Sequence, residues 1–197
     1  MAYGLLTESD ARELLEPFLN DFCEAVQQGW NAWDTNPARF TASKRTRASL
    51  IHDEITNQLE RAFAGDSRVR LKRRDNSLLM SVDGAVMIKV KKLRRHGLSS
   101  DGILTNARAN FLAQMGDLSS KPITNLVLGY RLDELEVGIE QVYLTCPLNN
   151  RNLWVLELVE AAPVGVTLFD TEDPAEGATI VRSASVPAAA STSAGEE

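Results

Sequence analysis

Regular alternation of apolar and charged residues between positions 68 and 95 constrains the fold of this chain more than any other feature. In the stretch RVRLKRRDNSLLMSVDGAVMIKVKKLRR, Val69 and Leu71 alternate with basic residues, and the same pattern recurs around Ile88. A period of two predicts half-buried strands with a cationic outer face. Asp83-Gly84 has the composition of a type I′ hairpin turn. The stretch is therefore predicted to form a three-strand antiparallel meander.

The same stretch carries much of the positive charge of the protein. Ten of the 21 Lys and Arg residues lie in its 28 positions, which hold only two acidic residues, so it has a net charge of +8 in a chain of −6. The overall acidity argues against a protein that coats nucleic acid by bulk charge. It does not argue against a local basic patch, because the electric field of such a patch extends only about 8 Å in physiological salt. If the meander forms, one face would carry four cations: Arg70, Lys72, Lys89 and Lys91.

The N-terminal region predicts one broken helix. A capping box begins at Thr7, and leucine, phenylalanine and valine then recur at helical spacing. Pro17 should kink this helix or separate its first turn. The chain is predicted to leave the helix at Gly29, and Trp30 and Trp33 are predicted to pack together as a hydrophobic clip beyond it.

A second helix is predicted over residues 43–63, where apolar residues follow one face. Its first turn is basic and includes Arg45 and Arg47, although cations at a helix N-terminus oppose the helix dipole. Two interpretations are open. The arginines either form salt bridges with nearby acids or contact phosphate groups.

The remaining elements complete an α+β fold. A third helix is predicted over 104–115, with its cap near Asp101 or Gly102 and an apolar stripe that includes Leu104 and Met115. Three β-rich segments follow, at 125–132, 138–145 and 153–159. We expect two N-terminal helices, the basic meander, a crossing helix and three further strands, all six strands in one mixed sheet.

Domain organisation and location are also predicted. Residues 1–162 should form a single domain, 163–182 a loosely attached segment and 183–197 a disordered tail, because the tail lacks amphipathic periodicity. No apolar run approaches the roughly 20 residues of a membrane span. The N-terminus lacks a secretory signal, and the two cysteines are expected to be reduced, so a cytoplasmic location is predicted.

Catalytic signatures are sparse. The two histidines and two cysteines have no paired ligand spacing, and no phosphate-binding glycine loop or nucleophile elbow is present. His52 is expected on a helix surface or partly packed, and Cys146 in the core. We therefore expect neither a metal site nor a cofactor.

The order helix–strand–strand–strand–helix–strand between residues 43 and 132 resembles the core of the PD-(D/E)xK restriction-endonuclease-like fold. That resemblance implies a divalent-cation site, with Glu54, Asp83 and Lys91 where the acids and the lysine would fall. However, Lys89 stands two positions before Lys91, so the Glu-x-Lys motif is absent. A cation in place of a ligating carboxylate would repel Mg²⁺. The resemblance therefore implies an inactive relative that only binds.

A second resemblance concerns the genomic setting of the protein. The phrases RTRASLIHDEI, KKL and NLVLGYRLDEL resemble an uncharacterised family of bacterial proteins. Such proteins occur near mobile-element or toxin–antitoxin genes. The resemblance implies a setting but no mechanism.

The leading hypothesis is a non-enzymatic binding protein whose cationic strand face contacts nucleic-acid phosphates. Base stacking is disfavoured because residues 68–95 contain no aromatic side chain. The predicted contact residues are Arg70, Lys72, Lys89, Lys91 and Lys92, with Arg45 and Arg47 as secondary candidates. One alternative is a protein–protein module, such as an antitoxin or adaptor, that binds an acidic partner. Another is a metal-dependent nuclease that uses Glu54, Asp83 and Lys91.

Overall fold

The structure is a computed structural model that describes residues 4–74, 77–100, 103–115, 123–149 and 151–159. All of these residues lie in one compact unit, Met1–Ala162. The predicted segments 163–182 and 183–197 lie outside the described residues.

Four α-helices and six strands form the described fold. The helices are α1 (Glu8–Leu15), α2 (Leu19–Asp34), α3 (Lys44–Ala62) and α4 (Asn106–Leu112), with short 3₁₀ helices at Glu16–Phe18 and Pro37–Phe40. The strands are β1 (Val69–Arg74), β2 (Ser77–Val82), β3 (Val86–Lys92), β4 (Thr124–Leu132), β5 (Ile139–Leu148) and β6 (Arg151–Leu158). The predicted α+β class is confirmed.

The six strands make one mixed sheet in the order β1-β2-β3-β4-β5-β6. Neighbouring strands are antiparallel except β3 and β4, which are parallel. A parallel pair needs a crossover connection, and α4 lies in the segment that makes it. The basic meander and the crossing helix are therefore confirmed.

The two faces of the sheet are covered differently. On one, which we call the helical face, residues such as Ile88, Leu128 and Leu144 join the side chains of α1, α2 and α3 in the main core. On the other, the α4 face, Phe111 of α4 packs with Val127 and Tyr143 in a smaller cluster. Since successive residues of a strand point to opposite faces, the register assigns each strand residue to one of them.

Local signals at caps and turns agree with the prediction. Thr7 forms a capping box with Asp10, and a 3₁₀ turn containing Pro17 separates α1 from α2. Asp83 and Gly84 have φ values of 50° and 65°, as a type I′ turn requires. These signals depend only on residues close in sequence.

The prediction that the chain leaves the first helix at Gly29 is wrong. Helix α2 continues to Asp34, and Trp30 and Trp33 are buried within it, at 5% and 4% exposure. A Cβ at Gly29 would lie 2.6 Å from the backbone nitrogen of Ile55 on α3. Gly29 therefore allows α2 and α3 to pack closely and does not end the helix.

The third predicted helix, 104–115, is too long. Helix α4 spans Asn106–Leu112 and is capped by Thr105, whereas the predicted cap at positions 101–102 lies outside the described residues. Leu104 and Met115 are 69% and 64% exposed. The apolar stripe has helical spacing at these positions, but only its middle part contacts the sheet.

Candidate functional site

The strand register brings four of the predicted contact residues onto the α4 face. Arg70 pairs with Ser81 on β2, and Ser81 pairs with Met87 on β3. Residues two or four positions from these share their face because of the pleat. Four of the predicted contact residues, Arg70, Lys72, Lys89 and Lys91, therefore share the α4 face.

Three of these cations have no carboxylate partner among the described residues. Arg70 and Lys72 are exposed on the edge strand β1, and no described acid lies within 4.0 Å of their charged groups. Lys91 is half-buried and also lacks a described ion pair. Its burial, and next the charge of Arg108, lower the pKa of its ammonium group. Three positive charges of this face thus have no described acid to neutralise them.

Lys89 is held by an aromatic side chain from another element. Its Nζ lies 4.4 Å from the centre of the Phe111 ring, a cation–π contact. Phe111 is only 9% exposed, and its carbonyl oxygen accepts a hydrogen bond of 3.0 Å from the Asn125 side chain. Phe111 therefore positions a cation and offers no open ring for base stacking.

Other cations of the basic stretch are neutralised by acids. Arg68 pairs with Asp83 at 2.7 Å, and Arg73 pairs with Glu60 of α3 at 2.6 Å. Arg95 pairs with Glu134 at 2.5 Å and also reaches Glu140. The charge of the stretch counted from its composition thus overstates the charge that is available to a ligand.

Lys92 lies on the helical face, away from the four predicted contact residues of the α4 face. Its Nζ lies 2.5 Å from Oε1 of Glu136, and Arg47 of α3 contacts the other oxygen of the same carboxylate. The hydrogen bond from Lys92, and then that from Arg47, lower the pKa of Glu136 although partial burial opposes them. For Arg47 the salt-bridge interpretation is therefore the one observed. Arg45 is exposed in the first turn of α3.

The structure does not assemble the residues of the nuclease alternative. Glu54 lies on α3, on the helical side of the sheet, whereas Lys91 lies on the α4 face. Asp83 lies in the β2–β3 turn, at the other end of β3 from Lys91, and accepts hydrogen bonds from Arg68. Among the described residues, no group of three histidine, cysteine or acidic side chains could hold a metal ion.

His52 and Cys146 have environments that suit packing. Burial is the main reason why the pKa of half-buried His52 is lowered, and the charge of Lys91 is the next. Cys146 is 0% exposed, as predicted for a core residue, and burial raises its pKa to about 11. Such a thiol is protonated at neutral pH and is a poor nucleophile. Cys23 and Cys146 are both buried, and no disulfide joins them.

Within the described part of the chain, no helix has the length and apolarity needed to cross a membrane.

No family model matches the sequence, and the comparisons with curated proteins and with solved structures gave no match. The resemblances to the restriction-endonuclease-like fold and to a bacterial family stay predictions. Function has to be inferred from the geometry and charge of the site itself.

Proposed function

We propose that this protein binds nucleic acid without catalysis, through phosphate contacts made by four cations of the α4 face, Arg70, Lys72, Lys89 and Lys91. One observation carries the proposal. Arg70, Lys72 and Lys91 have no described acidic partner, although acids neutralise four other cations of the same stretch. Lys and Arg contacts to phosphates supply most of the affinity of sequence-independent binding.

The spacing of these cations suits an extended backbone better than a single small anion. Residues two apart on a strand are roughly 7 Å apart, and β1 and β3 are separated by roughly 10 Å. Arg70 and Lys72 on β1, with Lys89 and Lys91 on β3, thus define a strip of positive charge. Because phosphate contacts carry no base-sequence information directly, binding should depend weakly on base sequence.

The element order α3–β1–β2–β3–α4–β4 supports a binding role related to that of nucleases. It is the order on which the resemblance to the restriction-endonuclease-like fold depends. Lys89 stands where that family places a metal-ligating carboxylate, so a relative with this sequence would retain phosphate contact without a metal site.

The test is a titration of the full chain against labelled duplex and single-stranded DNA and RNA over a salt series. Log affinity should fall linearly with log salt concentration. The variant Arg70→Glu/Lys72→Glu should weaken binding and make the duplex-DNA slope less negative by about 1.8, because each lost phosphate contact removes about 0.9. The control Arg12→Glu/Arg61→Glu changes net charge equally at exposed helix positions and should leave the slope unchanged.

Three outcomes would contradict the proposal. Absence of binding at low salt in every titration would remove it. Equal slopes in the strand-face variant and the control would show that overall charge, rather than this face, attracts the ligand. Cleavage that requires Mg²⁺ would favour the nuclease alternative, and stoichiometric copurification of an acidic protein would favour the protein-partner alternative.

A further inference from the structure

A pocket of about 300 Å³ opens on the α4 face, outside the cationic strip. Three elements surround it: the loop after β3, helix α4, and the hairpin that joins β5 to β6. Each element contributes an arginine to the lining, namely Arg94, Arg108 and Arg151. None of the described lining residues is acidic.

The loop that forms one wall is held by the protein itself. Leu93 and Ser100 form an isolated antiparallel bridge, which folds the loop back on β3. Arg108 donates a hydrogen bond of 2.5 Å to the carbonyl oxygen of Ser100. The Asn152 side chain donates to the carbonyl oxygens of Gly97 and Leu98, at 3.2 and 3.3 Å. These contacts connect the loop to both other walls.

Helix α4 is fixed to the hairpin by a second set of hydrogen bonds. The backbone nitrogen of Asn149 donates to the carbonyl oxygen of Leu112 at 2.8 Å. The Gln114 side chain donates to the carbonyl oxygens of Pro147 and Asn125, at 2.7 and 2.8 Å. The walls are therefore already in position, so a ligand would lose little affinity to ordering them.

The rest of the lining determines what kind of ligand would fit. Leucine and valine side chains, including Leu93, Leu112 and Val127, line the pocket beside the arginines. The pocket thus combines guanidinium groups with apolar surface, which suits an anion that has an apolar part.

We propose that this pocket binds a phosphate monoester of nucleotide size, with the three arginines around the phosphate and the apolar lining against the remainder. Guanidinium groups match phosphate oxygens in paired hydrogen bonds. The volume lies at the small end of the range for ligand sites, roughly 300–1,000 Å³. A nucleoside 5′-phosphate fits this description, either free or at the end of a nucleic-acid strand. The inference does not depend on the strand-face proposal.

Calorimetric titration of the full chain with adenosine 5′-monophosphate, inorganic phosphate and adenosine tests the assignment. The monophosphate should bind more tightly than either of the other two. Arg151→Gln should weaken its binding at least about tenfold, through loss of a charge-assisted hydrogen bond. Arg151 is exposed and has no described side-chain bond, so its replacement should leave the walls intact. Arg95→Gln is the matched control, because Arg95 pairs with Glu134 and is not a lining residue.

Equal affinity for adenosine and its monophosphate would overturn the proposal, as would equal losses in the Arg151 and Arg95 variants. Absence of any binding of the monophosphate would overturn it too. Single-stranded oligonucleotides with a 5′-phosphate or a 5′-hydroxyl distinguish the two sources: preference for the phosphorylated strand that requires Arg151 would assign a strand end. Monophosphate binding that survives Arg70→Glu/Lys72→Glu would separate this site from the strip.

Discussion

The two faces of the sheet receive cations from the same basic stretch, yet the cations differ in whether acids pair with them. On the helical face, Arg73 and Lys92 pair with acids contributed by α3 and by the β4–β5 connection. On the α4 face, Arg70, Lys72 and Lys91 have no such partner among the described residues. Adjacent lysines can thus differ in whether an acid neutralises them, because strand register decides which acids each one meets.

The faces also differ in what they contribute to stability. The helical face holds most of the core, whereas the α4 face carries a small cluster beside the cations. Surface that is only partly covered can remain open to a ligand. The following predictions test this division, from the largest expected effect to the smallest.

Replacement of the same residue type on each face should give unequal losses of stability. Leu144 on the helical face is 0% exposed, so Leu144→Ala should lower the free energy of unfolding by about 2–5 kcal/mol. Leu112 of α4 is only partly buried, and Leu112→Ala should cost about 1 kcal/mol. Urea unfolding measures both. Equal costs would show that the smaller cluster contributes as much as the main core.

The close contact between α2 and α3 should be sensitive to one methyl group. Gly29→Ala would place a carbon 2.6 Å from the backbone of Ile55, which forces the helices apart. We expect a loss of about 1–3 kcal/mol from overpacking, although alanine favours helices intrinsically. Thermal unfolding checks this, with Gln28→Ala on the exposed side of α2 as the control. A stabilised Gly29→Ala protein would show that the helices can separate freely.

The ionic cluster of the helical face should give a small, pH-dependent contribution. Lys92 and Arg47 lower the pKa of Glu136, so the folded state favours its charged form. This stabilisation is present above the ordinary glutamate pKa and is lost as the pH falls through the lowered folded value. Because Glu136 is 37% exposed, Glu136→Gln should cost no more than about 1 kcal/mol at pH 7.

Urea unfolding of this variant and the unsubstituted protein at pH 7 and at pH 3 would test the sign. The difference between the two proteins should shrink at the lower pH. A difference that grows on acidification would contradict the assigned direction of the Glu136 pKa.

Local patterns in the sequence were sufficient for much of the fold. Alternation around Val69 and Ile88, with the turn at Asp83-Gly84, predicted the meander, and its register then placed four predicted residues on one face. The end of β5 was harder to predict. Pro147 suggests a strand end, but β5 continues to Leu148 because a register shift between Cys146 and Pro147 accommodates the proline.

The contacts at the candidate site that the sequence did not predict join residues that are distant in sequence. Glu136, which neutralises Lys92 and Arg47, is 44 and 89 positions away from them. Phe111 contacts Lys89 across the crossover connection, although the basic stretch itself contains no aromatic residue. The arginine-lined pocket also gathers three elements. Spacing and composition do not reveal such encounters, because they depend on the order and pairing of strands.

Comparison of Lys91→Gln with Lys92→Gln in the salt-dependent titration is the most direct test of the central claim. The two residues are neighbours, the substitutions remove the same charge, and the side chains lie on opposite faces. Lys91→Gln should weaken nucleic-acid binding and make the duplex-DNA slope less negative by about 0.9, whereas Lys92→Gln should leave both unchanged. Equal effects of the two substitutions, in proteins shown to be folded, would contradict the assignment of binding to the α4 face.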